Sequence, residues 1–247
     1  MSSEFNAVPV REKYVDFNGK IKENVPLVLA DNRYLMFTTE VFEQRMQGRG
    51  INRYVDTGDL VAYNCPKSDE QEIKFILTAT RKGLTKEGRF ALGLINHHSK
   101  YFNGAVNLTQ AKDVTGKNVK DAYDALSGDN VIAIKRKDLG ILNERLTEEQ
   151  FLNHKGWRIL TRHPDEVPAE FAEDPERAKE YAGKVVFPHY STAMGIYLSD
   201  GKNVPTLRAW CVNWLDGSRR SDAYGRYNLD DDFGRSVGVA PEAPVTL

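Results

Sequence analysis

Apolar residues in this chain fall in runs of strand length, each closed by turn-forming residues, and this punctuation limits the fold more than any other feature. "VPLVLA" (Val25 to Ala30), "YLMFTT" (Tyr34 to Thr39), "LVAYNC" (Leu60 to Cys65) and "IKFILTAT" (Ile73 to Thr80) are separated by Asp-Asn, Gly-Asp and Lys-Ser-Asp. Such runs between such signals predict strands. Further strands are expected at Asn130 to Asp138, Trp157 to Arg162, Ala193 to Asp200, Thr206 to Leu215 and Arg235 to Pro241. Helical patterns are fewer. "TEVFEQRMQ" (Thr39 to Gln47) places Val41, Phe42 and Met46 on one face, and Val119, Ala122, Tyr123 and Leu126 have i, i+3, i+4, i+7 spacing behind Asn118 as N-cap. Thr147 and Gln150 stand in capping-box positions of a helix that Gly156 should end, and Val167 to Gly183 predicts a third helix that Pro175 breaks or restarts. With no regular βαβ alternation, internal repeat or long linker, the expectation is an α+β fold in one domain over residues 1–247.

Charge narrows the partners. Lys+Arg 34 against Asp+Glu 35 gives a formal net charge of -1, so no broad field draws nucleic acid or an anionic membrane to the chain. No apolar run approaches the roughly 18 to 20 residues of a membrane span, and "MSSEFNAVPVREKY" does not read as a secretory signal. The expectation is a soluble, cytoplasmic protein, with surface or particle association by another route left open. Cys65 and Cys211 match no zinc or redox spacing and are expected as buried thiols, a single disulfide remaining open.

Catalytic candidates are thin. His97 and His98 are adjacent, which in a strand would aim them at opposite faces, and they are expected as a loop or strand-end pair. "RHPDEVP" collects His163, Asp165 and Glu166, which suit acid/base work, yet acidic residues before a helix are also ordinary first-turn chemistry. "KRKDLG" (Lys135 to Gly140) reads as a solvated strand edge, and "GKNVKD" lacks the glycine and Ser/Thr of a phosphate loop.

One segment departs from the rest of the chain. Between Lys202 and Glu242 there is no Lys, Glu, Gln or Met, although these types make up about a sixth of the sequence. Independent draws would leave them out with a probability on the order of one in a thousand, against ordinary compositional scatter. In their place stand Asp, Arg, Asn, Tyr, Ser, Gly and Ala, with Trp210, Trp214, Leu229 and Phe233. Tyr and Trp give rigid contact area, Ser, Gly and Asn adaptable hydrogen bonding, and Arg a planar fork, which is the vocabulary of a binding surface. A polar hairpin would explain the turns but not the loss of Lys and Glu along the whole length.

"LRAWCVNWLDGSRRSDAYGRYNLDDDFGRSVGVAPEA" resembles the C-terminal variable region of proteins diversified by diversity-generating retroelements, which have a C-type lectin fold. In that family, adenine mutagenesis of Asn-type codons yields codons that cannot encode Lys, Glu, Gln, Met or Trp, and the missing types here fit all but Trp. The order Trp, Asp-Gly-Ser, Arg-Ser, Arg, Gly-Val is also similar to the end of formylglycine-generating-enzyme-type lectin folds, with "VGVAP" where those have Gly-Phe-Arg. The resemblance implies a mixed fold of short, mostly antiparallel strands and a few helices, with residues 1–190 as scaffold and 203–241 as a variable ligand-binding region.

On that basis the ligand-binding face is expected to comprise Asn213, Asp216, Ser218, Arg219, Arg220, Ser221, Asp222, Tyr224, Arg226, Tyr227, Asn228, Asp230, Asp231, Asp232, Phe233 and Arg235, with Trp210 and Trp214 packed below. The implied partner is a protein or glycan, with no cofactor. Three consecutive acids rarely aim at one ion, so no obligate metal is expected at Asp230 to Asp232, and a calcium-induced rise in thermal stability would contradict that. Two other readings stay open: a hydrolase or transferase using His163, Asp165 and Glu166 or His97 and His98, and a structural protein of a particle or assembly.

Overall fold

The computed structural model describes residues 12–48, 53–64, 68–97, 101–102, 104–162, 176–199, 204–215, 221–226, 229–230 and 232–242. In chain order the elements are β1 (Tyr14–Asn18), α1 (Ile21–Ala30), β2 (Tyr34–Leu35), α2 (Thr38–Met46), β3 (Val55–Tyr63), β4 (Glu72–Leu77), β5 (Ala79–Thr80), β6 (Gly83–Leu84), α3 (Lys86–His97), β7 (Tyr101–Phe102) and β8 (Ala105–Asn107). There follow α4 (Ala122–Ala125), β9 (Val131–Lys135), α5 (Arg136–Leu139), α6 (Glu148–Asn153), α7 (Lys155–Leu160), α8 (Glu176–Tyr181), β10 (Ile196–Tyr197), β11 (Thr206–Val212), β12 (Ala223–Tyr224) and β13 (Arg235–Val239).

The main sheet runs β1-β13-β3-β11-β12-β10, with β4 and β9 added beside the second half of β3. Pairing is antiparallel except for β10 with β12 and the single Ser236 to Asp56 contact of β13 with β3. β1 and β13 are in register from Asn18 with Arg235 at one end to Tyr14 with Val239 at the other. β3 is the centre, and its side chains alternate between the two faces. Val55, Val61 and Tyr63 join one apolar cluster with Phe42, Trp157, Tyr181 and Trp210, whereas Leu60 and Ala62 join a second with Val25, Val28, Leu92 and Ile95. β11 alternates in the same way, giving Leu207 and Ala209 to the second cluster and Trp210 and Val212 to the first, while its register against β3 shifts between Ala209 and Cys211. Gly58 sits where β13 gives way to β4 along β3; its N–H donates to Met36 O at 2.8 Å, and a Cβ there would lie 2.4 Å from Leu35 O.

Several expectations need correction. Val25 to Ala30 is helix, since Ile21, Asn24, Val25 and Val28 form one buried stripe at i, i+3, i+4, i+7, despite Pro26. Tyr34 to Thr39 is strand only at Tyr34–Leu35, after which Phe37 N–H donates to Glu40 at 3.0 Å and α2 begins. Trp157 to Arg162 is not a strand: His154 Nδ1 accepts from Gly156 N–H at 3.1 Å and caps α7, so Gly156 lies inside a second helix instead of ending the chain's helical stretch. The Val119 to Leu126 pattern yields only the four residues of α4, because Asn118 is bridged to Lys112 and Asp121 adopts φ 50. α3, which was not expected, starts where Thr85 Oγ1 accepts from Gly88 N–H at 2.9 Å, and it places His97 at a helix end, not in a strand. The Thr147–Gln150 capping box is present. Helix α8 starts at Glu176, and Val167 to Pro175 lies outside the described residues.

Candidate ligand-binding surface

The chain leaves β11 at Asn213 and returns at Asp222, and the base of this excursion is closed by two backbone bonds: Asn213 N–H to Asp222 O (2.9 Å) and Ser221 N–H to Trp214 O (2.8 Å). Beneath it lies Arg45 of α2, buried at 5% exposure. Its Nη1 donates to Ser221 Oγ (3.0 Å) and to the Tyr181 hydroxyl (3.3 Å), its Nη2 to Asn213 O (2.7 Å) and Arg53 O (2.9 Å). The Tyr181 hydroxyl and Ser221 Oγ share a 2.6 Å hydrogen bond. A planar guanidinium with its fork of donors suits this task, joining four chain segments at one point. Next to it, Asp222 Oδ1 accepts from Gly195 N–H at 2.8 Å and Oδ2 lies 3.7 Å from Arg145 Nε. Burial pushes the Asp222 carboxyl up to about 6, against the pull of the Gly195 bond and Arg145.

Asn213, Ser221 and Asp222 are therefore buried, and their expected place on the outer face is corrected. They belong to the mounting. Nothing local in the sequence marks this, because their partners come from α2, α8 and the segment before β10. Trp210 is buried, stacked on Phe75 at 5.4 Å, and lies below Gly225, where a Cβ would come within 2.9 Å of its ring.

The strand ends near this mounting surround a cavity of about 550 Å³ lined by Asn18, Gly19, Arg53, Tyr54, Trp214, Asp232, Phe233, Gly234 and Arg235. Trp214 thus stands in a wall, 6.3 Å from the Tyr54 ring, and not underneath as expected. Phe233 is 80% exposed. Asp232 pairs with Lys20 at 2.9 Å, and Arg235 Nη2 holds both carboxylate oxygens of Asp16 at 2.9 and 3.0 Å. The close passage of Gly234 over Gly19, whose N–H donates to Gly234 O at 2.8 Å, needs glycine: a Cβ would sit 2.2 Å from Gly19 O.

Along the β10–β12 edge, the Tyr197 and Tyr224 rings stack at 4.7 Å and 10°. The exposed Arg226 lies 5.0 and 4.9 Å from their centroids. Asp230 is exposed beyond the buried Leu229. The structure brings Tyr224 and Arg226 together at one edge, and Asp232, Phe233 and Arg235 together at the cavity. Asp216, Ser218, Arg219, Arg220, Tyr227, Asn228 and Asp231 lie outside the described residues, as do Cys65, His98, His163, Asp165 and Glu166. Cys211 is buried, as expected. Among the described residues no group of three or more His, Cys, Asp or Glu is placed to hold a metal ion, and no helix is long and apolar enough to cross a membrane.

The architecture so described is a mixed, mostly antiparallel sheet whose strand ends and one edge support an irregular polar surface. It is a C-type lectin fold: a solved chain from work on the "accommodation of massive sequence variation in Nanoarchaeota by the C-type lectin fold" superposes with a TM-score of 0.59 over 93% of this chain and 98% of that one, at 17% sequence identity. No protein-family model and no curated protein matches the sequence.

Proposed function

We propose that this chain is a binding protein that displays a diversified C-terminal surface, residues 203–241, on a single C-type lectin-type domain whose scaffold is residues 1–190. The supporting observation is the division of labour at the loop base. Arg45, Tyr181 and Arg53, which hold Asn213 and Ser221, all lie outside the segment that lacks Lys, Glu, Gln and Met. Tyr224, Arg226, Asp232 and Phe233, inside that segment, reach the surface. A mount built from elsewhere keeps its shape while the displayed side chains change. The structural neighbour, from work on massive sequence variation on this fold, agrees with that reading. On the proposed face, Asp216, Ser218, Arg219, Arg220, Tyr227, Asn228, Asp230 and Asp231 join Tyr224, Arg226, Asp232, Phe233 and Arg235, and the ligand is a protein or a glycan.

Two measurements test this. Sequencing the coding region for residues 203–241 across a source population, with a search beside it for a near-identical template repeat and a reverse transcriptase, should show substitutions at template-adenine positions. A uniform region without a template overturns diversification. A library randomised at 216–220, 227–228 and 230–233 should fold in most members, whereas the same treatment of 213, 221 and 222 should not.

A further inference from the structure

We propose that the β10–β12 edge is a subsite for a carboxylate, taken from an acidic side chain of a peptide or protein ligand, and that this subsite is half built from the scaffold; the inference rests on the binding-protein reading. Four side chains meet there. Tyr224 and Arg226 come from the compositionally restricted segment, Tyr197 and Arg145 from outside it. The two rings and the Arg226 guanidinium are separated by 4.7, 5.0 and 4.9 Å, so the three planar groups pack as a near-equilateral triangle. A guanidinium held against aromatic faces keeps its in-plane N–H donors directed outward, the arrangement that takes a carboxylate in a bidentate fork. Arg145 adds a second positive charge: both it and Arg226 act on the Tyr197 phenol, while burial together with Asp222 and Tyr224 pushes that group up to about 12. The Tyr197 phenol, held protonated, is then a donor beside two arginines.

The acidic group already present, Asp222, engages the inner side of the subsite through Arg145 and the Tyr224 hydroxyl and leaves the exposed Arg226 facing outward. Asp222 is buried, and its closest bond is to the Gly195 backbone at 2.8 Å, while its contacts with Arg145 (3.7 Å) and the Tyr224 hydroxyl (3.5 Å) are long. Asp222 thus sets the orientation of Arg145 and Tyr224 from below. Tyrosine and arginine at a half-buried site are the usual anchors of a protein interface, and the stacked rings offer a flat floor to the backbone or methylenes of an acidic peptide. Because Tyr197 and Arg145 lie outside residues 203–241, their half of the subsite persists when the neighbouring loops change, whereas Tyr224 and Arg226 change with the displayed surface. The scaffold half would supply a shared contact, and Tyr224, Arg226 and the loops the discrimination.

The test uses the full chain and an acetylated tetraglutamate amide, with tetraglutamine amide and inorganic phosphate as comparison probes, followed by chemical-shift perturbation and calorimetry at low salt. The expected result is tetraglutamate binding, with shifts at Tyr197 and Tyr224, weakened about tenfold or more by Arg226→Gln and strengthened as salt is lowered. Arg145→Lys should retain part of the affinity and Arg145→Gln lose most of it, and Phe233→Ala, at the separate cavity, should change little. Equal binding of tetraglutamine, or affinity unaffected by Arg226→Gln in a variant with wild-type thermal stability, overturns the proposal. Phosphate binding as tight as tetraglutamate overturns the carboxylate assignment in favour of a general anion site. The two readings fail separately: absent tetraglutamate binding with a population-variable tail removes the subsite alone, and tetraglutamate binding with a uniform tail removes diversification alone.

Discussion

Within one short segment of unusual composition, the residues at the loop base and those at the rim have opposite fates. Ser221 and Asp222 are 0% exposed and hydrogen-bonded to three other parts of the chain; Phe233 is 80% exposed, and Asp232 is exposed in its ion pair with the partly buried Lys20. The same amino-acid vocabulary serves both places, because Ser and Asp are small enough to be buried with partners and polar enough to be displayed without them. What separates mount from display is the reach of distant residues, above all Arg45, and not the segment's own composition.

Breaking the mount should have the largest effect. Arg45→Ala removes the guanidinium donors to the Asn213 and Arg53 carbonyls and leaves Ser221 Oγ with the Tyr181 hydroxyl alone of the two, and the loss of several buried hydrogen bonds should cost about 3 to 5 kcal/mol in urea unfolding. Arg45→Lys should restore only part, since an ammonium cannot span the same acceptors in one plane. Gly234→Ala should follow at about 2 to 3 kcal/mol, as its new methyl would meet Gly19 O, and it should also distort the cavity.

Titration sharpens the contrast within the support. Burial pushes the His154 imidazole down to about 4, and the ring is held neutral, accepting from Gly156 N–H at Nδ1 and donating from Nε2 to Ile141 O at 2.9 Å. A folded-state value below the unfolded one means that the unfolded chain binds the proton first, so the contribution of His154 is present above about pH 6.5 and lost as pH falls through about 4. Its size is up to about 3 kcal/mol. Asp222 acts in the opposite sense: its folded value of about 6 exceeds the unfolded one, so its contribution is present below about pH 4 and lost as pH rises through 6. Measured stability between pH 4 and 6.5 should therefore lose its acid-side fall in His154→Gln and gain with rising pH, relative to wild type, in Asp222→Asn. At the rim the effects should be smallest. Phe233→Ala and Asp232→Ala should each shift stability by less than about 0.5 kcal/mol, while altering ligand capture by the cavity.

The sequence made the central strands legible. β4, β9, β11 and β13 are rich in β-branched and aromatic residues, β3 was legible only in its second half because Gly58-Asp59, read as a turn, lies inside it, and the capping box of α6 was readable from Thr147 and Gln150. Where apolar residues were dense, length and periodicity failed to separate helix from strand: Val25 to Ala30 looked like a strand because Pro26 hid a stripe that starts earlier, at Ile21. Trp157 to Leu160 looked like one because the imidazole cap precedes it. At the candidate surface, Tyr224, Arg226 and Phe233 were legible as contact residues by type. Tyr197, Arg145, Tyr54 and Arg45 were not, since each joins the surface through pairing across the sheet or packing between distant segments, which no local pattern encodes.

The register of β1 with β13 has a practical consequence for handling the molecule. Asn18 and Arg235 mark the end that carries the cavity, whereas Tyr14 pairs with Val239 and Ala240 N–H reaches Lys13 O at the other, roughly 13 Å along the strands. Lys13 and Ala240 therefore lie at the end of these strands away from the cavity. A tether attached at either of these two positions would orient the protein on a sensor chip with the cavity outward.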